Sequence, residues 1–257
     1  MKRLLSVIVI VLAFQLSALS QTLDEKLQEI NTYAAAVGAD WPNGAGMAIG
    51  VVKDDKLVFA KGYGVREVGK PEKVDPDTLF AIASNSKAFT AACLAILVDE
   101  KKLAWDDKVI KYLPDFQMYD PWVTSEITIR DLVSHRVGLD TFSGDLLWYE
   151  NTNSEDEILS RLHYLKPVSS FRTRFGYQNL MFIAAGRVLE KVSGMKWAEF
   201  VKARILTPLG MNRTATSIRE LPDNAAFPHN ESGGKLRVLP RGNVDGAAAA
   251  AGQFIGQ

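Results

Sequence analysis

Ser84-Asn85-Ser86-Lys87 sets a hydroxyl and an amine three positions apart, directly ahead of a long apolar run. A serine hydroxyl is a weak nucleophile until a base takes its proton, and a lysine whose charged form is disfavoured by burial can be that base. If a helix opens at Ser84, positions 84 and 87 share a face. The free N–H groups of its first turn then favour negative charge developing near the hydroxyl. The same spacing recurs at Ser193-Gly194-Met195-Lys196 and at Ser232-Gly233-Gly234-Lys235. Context separates the three: Ser193 falls where a helix should end and Ser232 in a glycine-rich loop, so both read as cap and turn. Ser84 alone opens a buried helix. Its bland alternative is a serine N-cap beside a solvated lysine.

Tyr177-Gln178-Asn179 supplies a second group. A phenol and an amide two residues apart project the same way from an extended segment. The phenol can relay a proton to a leaving group, and the amide can bond both substrate and lysine. Tyr149-Glu150-Asn151 has the same spacing in what reads as a loop, which makes Tyr149 a candidate for ligand contact. His135 follows a short helix and reads as structural rather than as a base. Cys93, in Ala91-Ala92-Cys93-Leu94-Ala95, reads as a small core residue. The three histidines form no His-x-x-x-His or Cys/His cluster, so no metal and no cofactor is expected.

The elements that must carry these groups follow from periodicity. Leu23, Leu27, Ile30 and Tyr33 recur at helical spacing through 22–37, and Trp41-Pro42-Asn43-Gly44 breaks the run. Met47 to Val52 and Leu57 to Val65 read as a hairpin around Lys53-Asp54-Asp55-Lys56. An interior helix is expected from Ser84 to Glu100, apolar on nearly every side. From Asp106 to Met211 the text is helical. Thr128 opens a short helix, Ser154 heads a capping box, Asn179 to Val192 closes at Ser193-Gly194, and Trp197 to Leu206 is stopped by Pro208. Leu221 to Gly246 reads as loop, and Gly246 to Gly252 as a low-complexity tail. No strand is expected after the helical block.

Phe80-Ala81-Ile82-Ala83-Ser84-Asn85-Ser86-Lys87 resembles the first motif of class C β-lactamases and the related serine DD-peptidases and esterases. Thr128 to Leu139, Tyr177-Gln178-Asn179, Gly186 to Gly194 and Pro208-Leu209-Gly210-Met211 resemble further segments of that family in the same order. The resemblance runs from about Gln28 to Asn243. It implies an α/β fold of the β-lactamase/transpeptidase type, an antiparallel sheet flanked by helices plus an all-helical lobe. The expected organisation is a signal peptide at 1–20 and one domain at 21–257. Within that domain 21–82 would hold the N-terminal helix and hairpin, 83–211 the helical lobe, and 212–257 a loop returning toward the sheet.

The resemblance also implies a mechanism. Ser84 attacks a carbonyl to form an acyl-enzyme, Lys87 and Tyr177 share the proton, Asn179 holds substrate and lysine, and the Ser84 backbone N–H is half of an oxyanion hole. Substrates would be β-lactams, D-alanyl peptides or small esters, with esters or peptides preferred. The sequence departs from the family in one respect: no Lys-x-Gly or His-x-Gly occurs anywhere in it. The strand expected to carry that motif should lie toward the C-terminus, so the sequence reads as truncated. The competing reading is an inactive family member or a cell-wall-binding relic.

Composition narrows the partners. Thirty basic residues balance thirty acidic ones, so no field of one sign favours nucleic acid or an anionic membrane. That neutrality fits a small, uncharged or zwitterionic ligand, and the resemblance implies a small-molecule or peptidoglycan-derived substrate; oligomeric state is not fixed by the sequence. Lys2 and Arg3, the short apolar stretch Leu4 to Leu16 and Ala18-Leu19-Ser20 read as a cleavable export signal. A periplasmic or secreted protein with no stable membrane anchor is the expectation. No Gly-x-Ser-x-Gly elbow is present to suggest an α/β-hydrolase.

Overall fold

The computed structural model describes residues 21–40, 46–149, 151–217, 221–241 and 254–256. The expected export signal at 1–20, the break at 41–44 and the tail at 246–252 lie outside the described residues. The chain forms two compact units. Of the described residues, those up to Thr78 together with Pro228–Leu239 make one, and those of Leu79–Phe227 together with those from Pro240 onward make the other. The division therefore precedes the 82/83 break expected from the sequence, and the strand leading to Ser84 goes with the helices.

In the first unit, helix α1 (Leu23–Asp40) starts at a reciprocal cap. Glu25 N–H donates to Thr22 Oγ1 at 3.2 Å, and Thr22 N–H donates to Glu25 Oε2 at 2.8 Å. Strands β1 (Met47–Lys53) and β2 (Lys56–Tyr63) pair antiparallel, with Met47 opposite Tyr63 and a register shift between Val51 and Val52. The linking residues Asp54 and Asp55 both take positive φ, 51° and 59°. Such a turn matches the twist of the strands, and aspartate tolerates that conformation better than most residues. Asn31 ties α1 to β2: its Oδ1 accepts from Lys61 Nζ at 2.7 Å and from Tyr63 OH at 3.1 Å.

The loop expected over Leu221 to Gly246 is corrected here. Strands β4 (His229–Ser232) and β5 (Lys235–Val238) form an antiparallel hairpin in the first unit. Gly233 and Gly234, at φ 60° and 70°, make its two-residue turn, a conformation that glycine adopts without steric cost. Strand β4 carries no apolar residue and β5 alternates over only four, Lys235-Leu236-Arg237-Val238, too short a run to stand out by period; the glycine pair could have revealed the hairpin.

The second unit contains strand β3 (Phe80–Ala83), helix α2 (Ser86–Asp99), the short helices α3 (Pro121–Glu126), α4 (Ile129–Leu132) and α5 (Glu155–Ser160), then α6 (Leu180–Ser193) and α7 (Trp197–Val201), which continues into a π turn at Lys202–Leu206. Strand β6 (Phe254–Gly256) pairs antiparallel with β3. The expectation that strands end before the helical block is thus corrected a second time. A run of three residues is too short to announce itself by period.

The core sits between α2 and α6. Helix α2 buries Lys87, Thr90, Cys93, Leu94 and Leu97, one stripe at helical spacing. Helix α6 buries Leu180 to Gly186, Val188 and Leu189 and stops at Gly194, whose N–H returns to the Glu190 carbonyl at 2.9 Å. Trp197 Nε1 donates to Thr90 Oγ1 at 3.0 Å, so the one polar atom of a buried indole is satisfied. Cys93 is fully buried, and that burial pushes its thiol up to about 12, which makes it an inert core residue. The expected capping box of Ser154 with Glu157 is present, and the short helix expected at Thr128 opens on a second one, Thr128 with Asp131.

Candidate active site

Helix α2 begins two residues later than the sequence suggests. Ala83 takes φ 44°, which turns the chain out of β3 before the helix, and Asn85 is the N-cap. Ser84 therefore occupies the turn between β3 and α2. Lys87 N–H donates to the Ser84 carbonyl at 3.2 Å, and this tight turn brings the two side chains together as a helical face would have done. Lys87 Nζ lies 3.1 Å from Ser84 Oγ. Ser84 is exposed, while Lys87 is only 7% exposed. The hydroxyl is thus open to a ligand and the amine is shielded from water.

Tyr177 arrives from 93 residues along the chain and places its OH 2.5 Å from Ser84 Oγ. Asn179, the N-cap of α6 and 5% exposed, accepts from Lys87 Nζ through Oδ1 at 2.7 Å. Burial pushes the Lys87 ammonium below its ordinary range; Tyr177 and the Asp145 carboxylate oppose that shift. A neutral amine is the form that can take a hydroxyl proton.

The residues around Tyr177 are tightly braced. Its backbone N–H donates to Thr141 Oγ1 at 3.2 Å and its carbonyl accepts from Phe142 N–H at 2.9 Å. His135 stacks on the Tyr177 ring, with centroids 4.5 Å apart, and its Nδ1 accepts from Gln178 N–H at 3.0 Å. Burial, and then the nearby Lys87, lower the His135 pKa, so the neutral ring that can accept this bond is favoured. Ser84 Oγ is held by Lys87 and Tyr177, and His135 serves as a plate behind the phenol. The Tyr177 segment is also clamped at Arg172. Its guanidinium makes two bonds to the buried Asp131 carboxylate, 2.9 and 2.6 Å, and its backbone N–H donates to the Arg136 carbonyl at 2.8 Å.

Tyr149 does not join this group. It is 52% exposed, its ring packs edge-on against Trp148, and its backbone N–H donates to the Asp145 carbonyl. Among the described residues no cluster of His, Cys, Asp or Glu could hold a metal ion.

Comparison with known proteins agrees with this architecture. The family model described as Beta-lactamase matches residues 34–255. The chain belongs to the beta-lactamase family. Its similar relatives include the unguisins hydrolase ungD' of Aspergillus campestris, 36% identical over 184 residues, which are 68% of this chain and 34% of that protein. Protein flp of Staphylococcus aureus is 31% identical over 176 residues, 66% of this chain and 34% of that protein. The chain thus spans about a third of the length of these relatives.

Among solved structures, an octameric penicillin-binding protein homologue from Pyrococcus abyssi aligns with a TM-score of 0.76 at 26% identity, covering 92% of this chain and 54% of that one. A class C beta lactamase aligns with a TM-score of 0.74 at 20% identity over 93% of this chain and 64% of that one, a likeness of fold. The mixed helix-and-antiparallel-strand architecture is the β-lactamase/transpeptidase-like fold expected from the sequence.

One member of the site escaped the sequence reading. Asp145 Oδ2 accepts from Asn179 Nδ2 at 2.8 Å, and Asp145 Oδ1 accepts from Trp148 Nε1 at 3.0 Å. It opens a short 3₁₀ turn, Asp145–Leu147, at the end of a loop, and no spacing relative to Asn179 could have announced it.

Proposed function

We propose that this beta-lactamase-family chain is a serine acyl hydrolase working through an acyl-enzyme on Ser84. The observation that carries the reading is the placement of Ser84 Oγ between Lys87 Nζ at 3.1 Å and Tyr177 OH at 2.5 Å. Ser84 Oγ attacks a substrate carbonyl carbon, and its proton passes to Lys87, directly or through Tyr177. The carbonyl oxygen becomes an oxyanion, with the Ser84 backbone N–H as one of its donors. As the bond to the leaving group breaks, Tyr177 or Lys87 returns the proton to that group. Water then attacks the acyl-enzyme by the same proton route in reverse and frees Ser84. Asn179 holds Lys87 and offers its amide to the substrate.

Small esters and peptide amides are the proposed substrates. β-Lactams are the lesser candidate. The N-terminal pattern supports action in the periplasm or outside the cell. A second reading, a groove that binds such ligands without turning them over, is favoured by the lack of any Lys-x-Gly or His-x-Gly in the sequence.

A substrate panel separates the two. The chain should hydrolyse p-nitrophenyl butyrate with an initial burst, and faster than it opens nitrocefin or cleaves a D-alanyl-D-alanine peptide. Ser84→Ala should remove at least about 10³-fold of that rate. Undiminished hydrolysis by Ser84→Ala would end the acyl-enzyme reading. Folded wild-type protein that binds the peptide without turnover would establish the binding reading.

A further inference from the structure

We propose that Asp145 is a positioning residue of this site, whose carboxylate fixes the Asn179 amide so that its oxygen, and not its NH₂ group, faces Lys87. The inference rests on the acyl-hydrolase reading above and deepens it. An asparagine side chain can rotate by half a turn and exchange its oxygen for its nitrogen at almost no change in shape. The two orientations differ completely for a lysine: one offers an acceptor, the other offers only donors.

Asp145 removes that ambiguity. An ionised carboxylate is an acceptor only, so the Asn179 group facing it must be NH₂. The bond is present, Asn179 Nδ2 to Asp145 Oδ2 at 2.8 Å, and the opposite end of the same amide meets Lys87 Nζ at 2.7 Å. The carboxylate is itself held, because Trp148 Nε1 donates to its other oxygen at 3.0 Å. The backbone permits this approach at Gly144, which takes φ 84°, and where a Cβ would lie 2.5 Å from Leu180 Cδ1 and 2.7 Å from Leu165 Cδ1. The Asp145 turn thus lies close against Leu180, the first residue of α6. A chain of donors and acceptors thus runs from Trp148 through Asp145 and Asn179 to Lys87 and Ser84.

The carboxylate has a second consequence for Lys87. Among the described residues, the titratable groups acting on the amine include Tyr177 from the segment before α6, His135 from the loop after α4, and Asp145 from its own turn; the Phe182 ring of α6 adds an uncharged face. Asp145 is the carboxylate among them, and it favours the ammonium. Removing its charge should make Lys87 easier to deprotonate while leaving its acceptor badly oriented.

The test is the rate constant for phosphonylation by a fluorophosphonate, measured against pH for the wild type, Ser84→Ala, Asp145→Asn and Trp148→Phe. Asp145→Asn should lower the plateau rate about tenfold. It should also move the acid limb to lower pH, because the charge that favours the ammonium is gone. Trp148→Phe should lower the plateau by a smaller factor and leave the limb in place, since the carboxylate remains. A purely structural role would lower rates and melting temperature together without moving the limb.

A wild-type plateau in Asp145→Asn, or an unmoved limb, would overturn the proposal. If Asp145→Asn does not fold, Trp148→Phe decides: an unchanged plateau overturns the proposal, and a reduced plateau with an unchanged melt supports it. Absence of Ser84-dependent labelling in the wild type would instead remove the acyl-hydrolase reading, and the positioning role with it.

Discussion

Replacing Lys87 with methionine lowers kcat/KM by about 10³-fold and leaves the melting temperature close to that of the wild type. Methionine fills nearly the same volume beside Phe182 but cannot take a proton from Ser84 Oγ, 3.1 Å from Lys87 Nζ in the native protein. Lys87→Arg sharpens the test. Arginine keeps a positive charge in the site and, with a pKa above about 12, stays protonated throughout the working range. If Lys87 acts as a base, arginine is as damaging as methionine; if it acts only as a fixed positive charge, arginine retains most of the activity.

The pH profile carries the same sign. On the proposed mechanism Lys87 must be neutral to act, and burial holds its pKa below the ordinary lysine range. Activity therefore falls as pH drops through that lowered pKa, and the residual activity of Lys87→Met lacks this limb. Hydrolysis rates across pH for the three proteins check the prediction.

Asp131→Ala is expected to cost about 2–3 kcal/mol of stability at neutral pH. The carboxylate is 3% exposed; it accepts from the Arg172 guanidinium and from the Thr128 hydroxyl and backbone N–H. Its loss removes one half of the capping box of α4 and releases the segment that delivers Tyr177. The figure lies below that for a fully buried pair because the Arg172 side chain, 42% exposed, regains water when its partner is gone.

The pH sense can be worked out. Burial alone would raise the Asp131 pKa, but Arg172 and Thr128 outweigh it and hold the carboxyl below its usual range. A depressed carboxylate pKa gives stability that is fully present above the unfolded value of about 3.9 and is lost as pH falls through the folded one. Urea midpoints should therefore separate Asp131→Asn from the wild type widely at pH 7 and much less at pH 3. An equal gap at both values would assign the loss to packing.

The hydroxyl and amine of the site were legible because Ser84 and Lys87 are local partners: three residues and an apolar run sufficed. Tyr177 was legible only through its motif, since nothing in periodicity joins two residues 93 apart. Asp145 lies 34 residues from Asn179 in a loop, and only the packing of that loop on α6 makes the two partners. His135 was visible as a residue but not in its role, because stacking on Tyr177 depends on the left-handed turn the chain makes there, φ 57°. The helices were readable from apolar spacing and caps. The start of α2 was not, as alanine at position 83 gives no sign that it will adopt φ 44°. The β4–β5 hairpin was missed because His229–Ser232 carries no apolar residue and the alternation of Lys235-Leu236-Arg237-Val238 lasts only four residues.

Intact mass spectrometry after exposure to a fluorophosphonate, followed by peptide mapping, tests the central claim most directly. The acyl-hydrolase account predicts one adduct per chain, mapped to Ser84 and abolished in Ser84→Ala, with Lys87→Met labelled far more slowly. Folded protein that stays unmodified, or an adduct on any other residue, would contradict it.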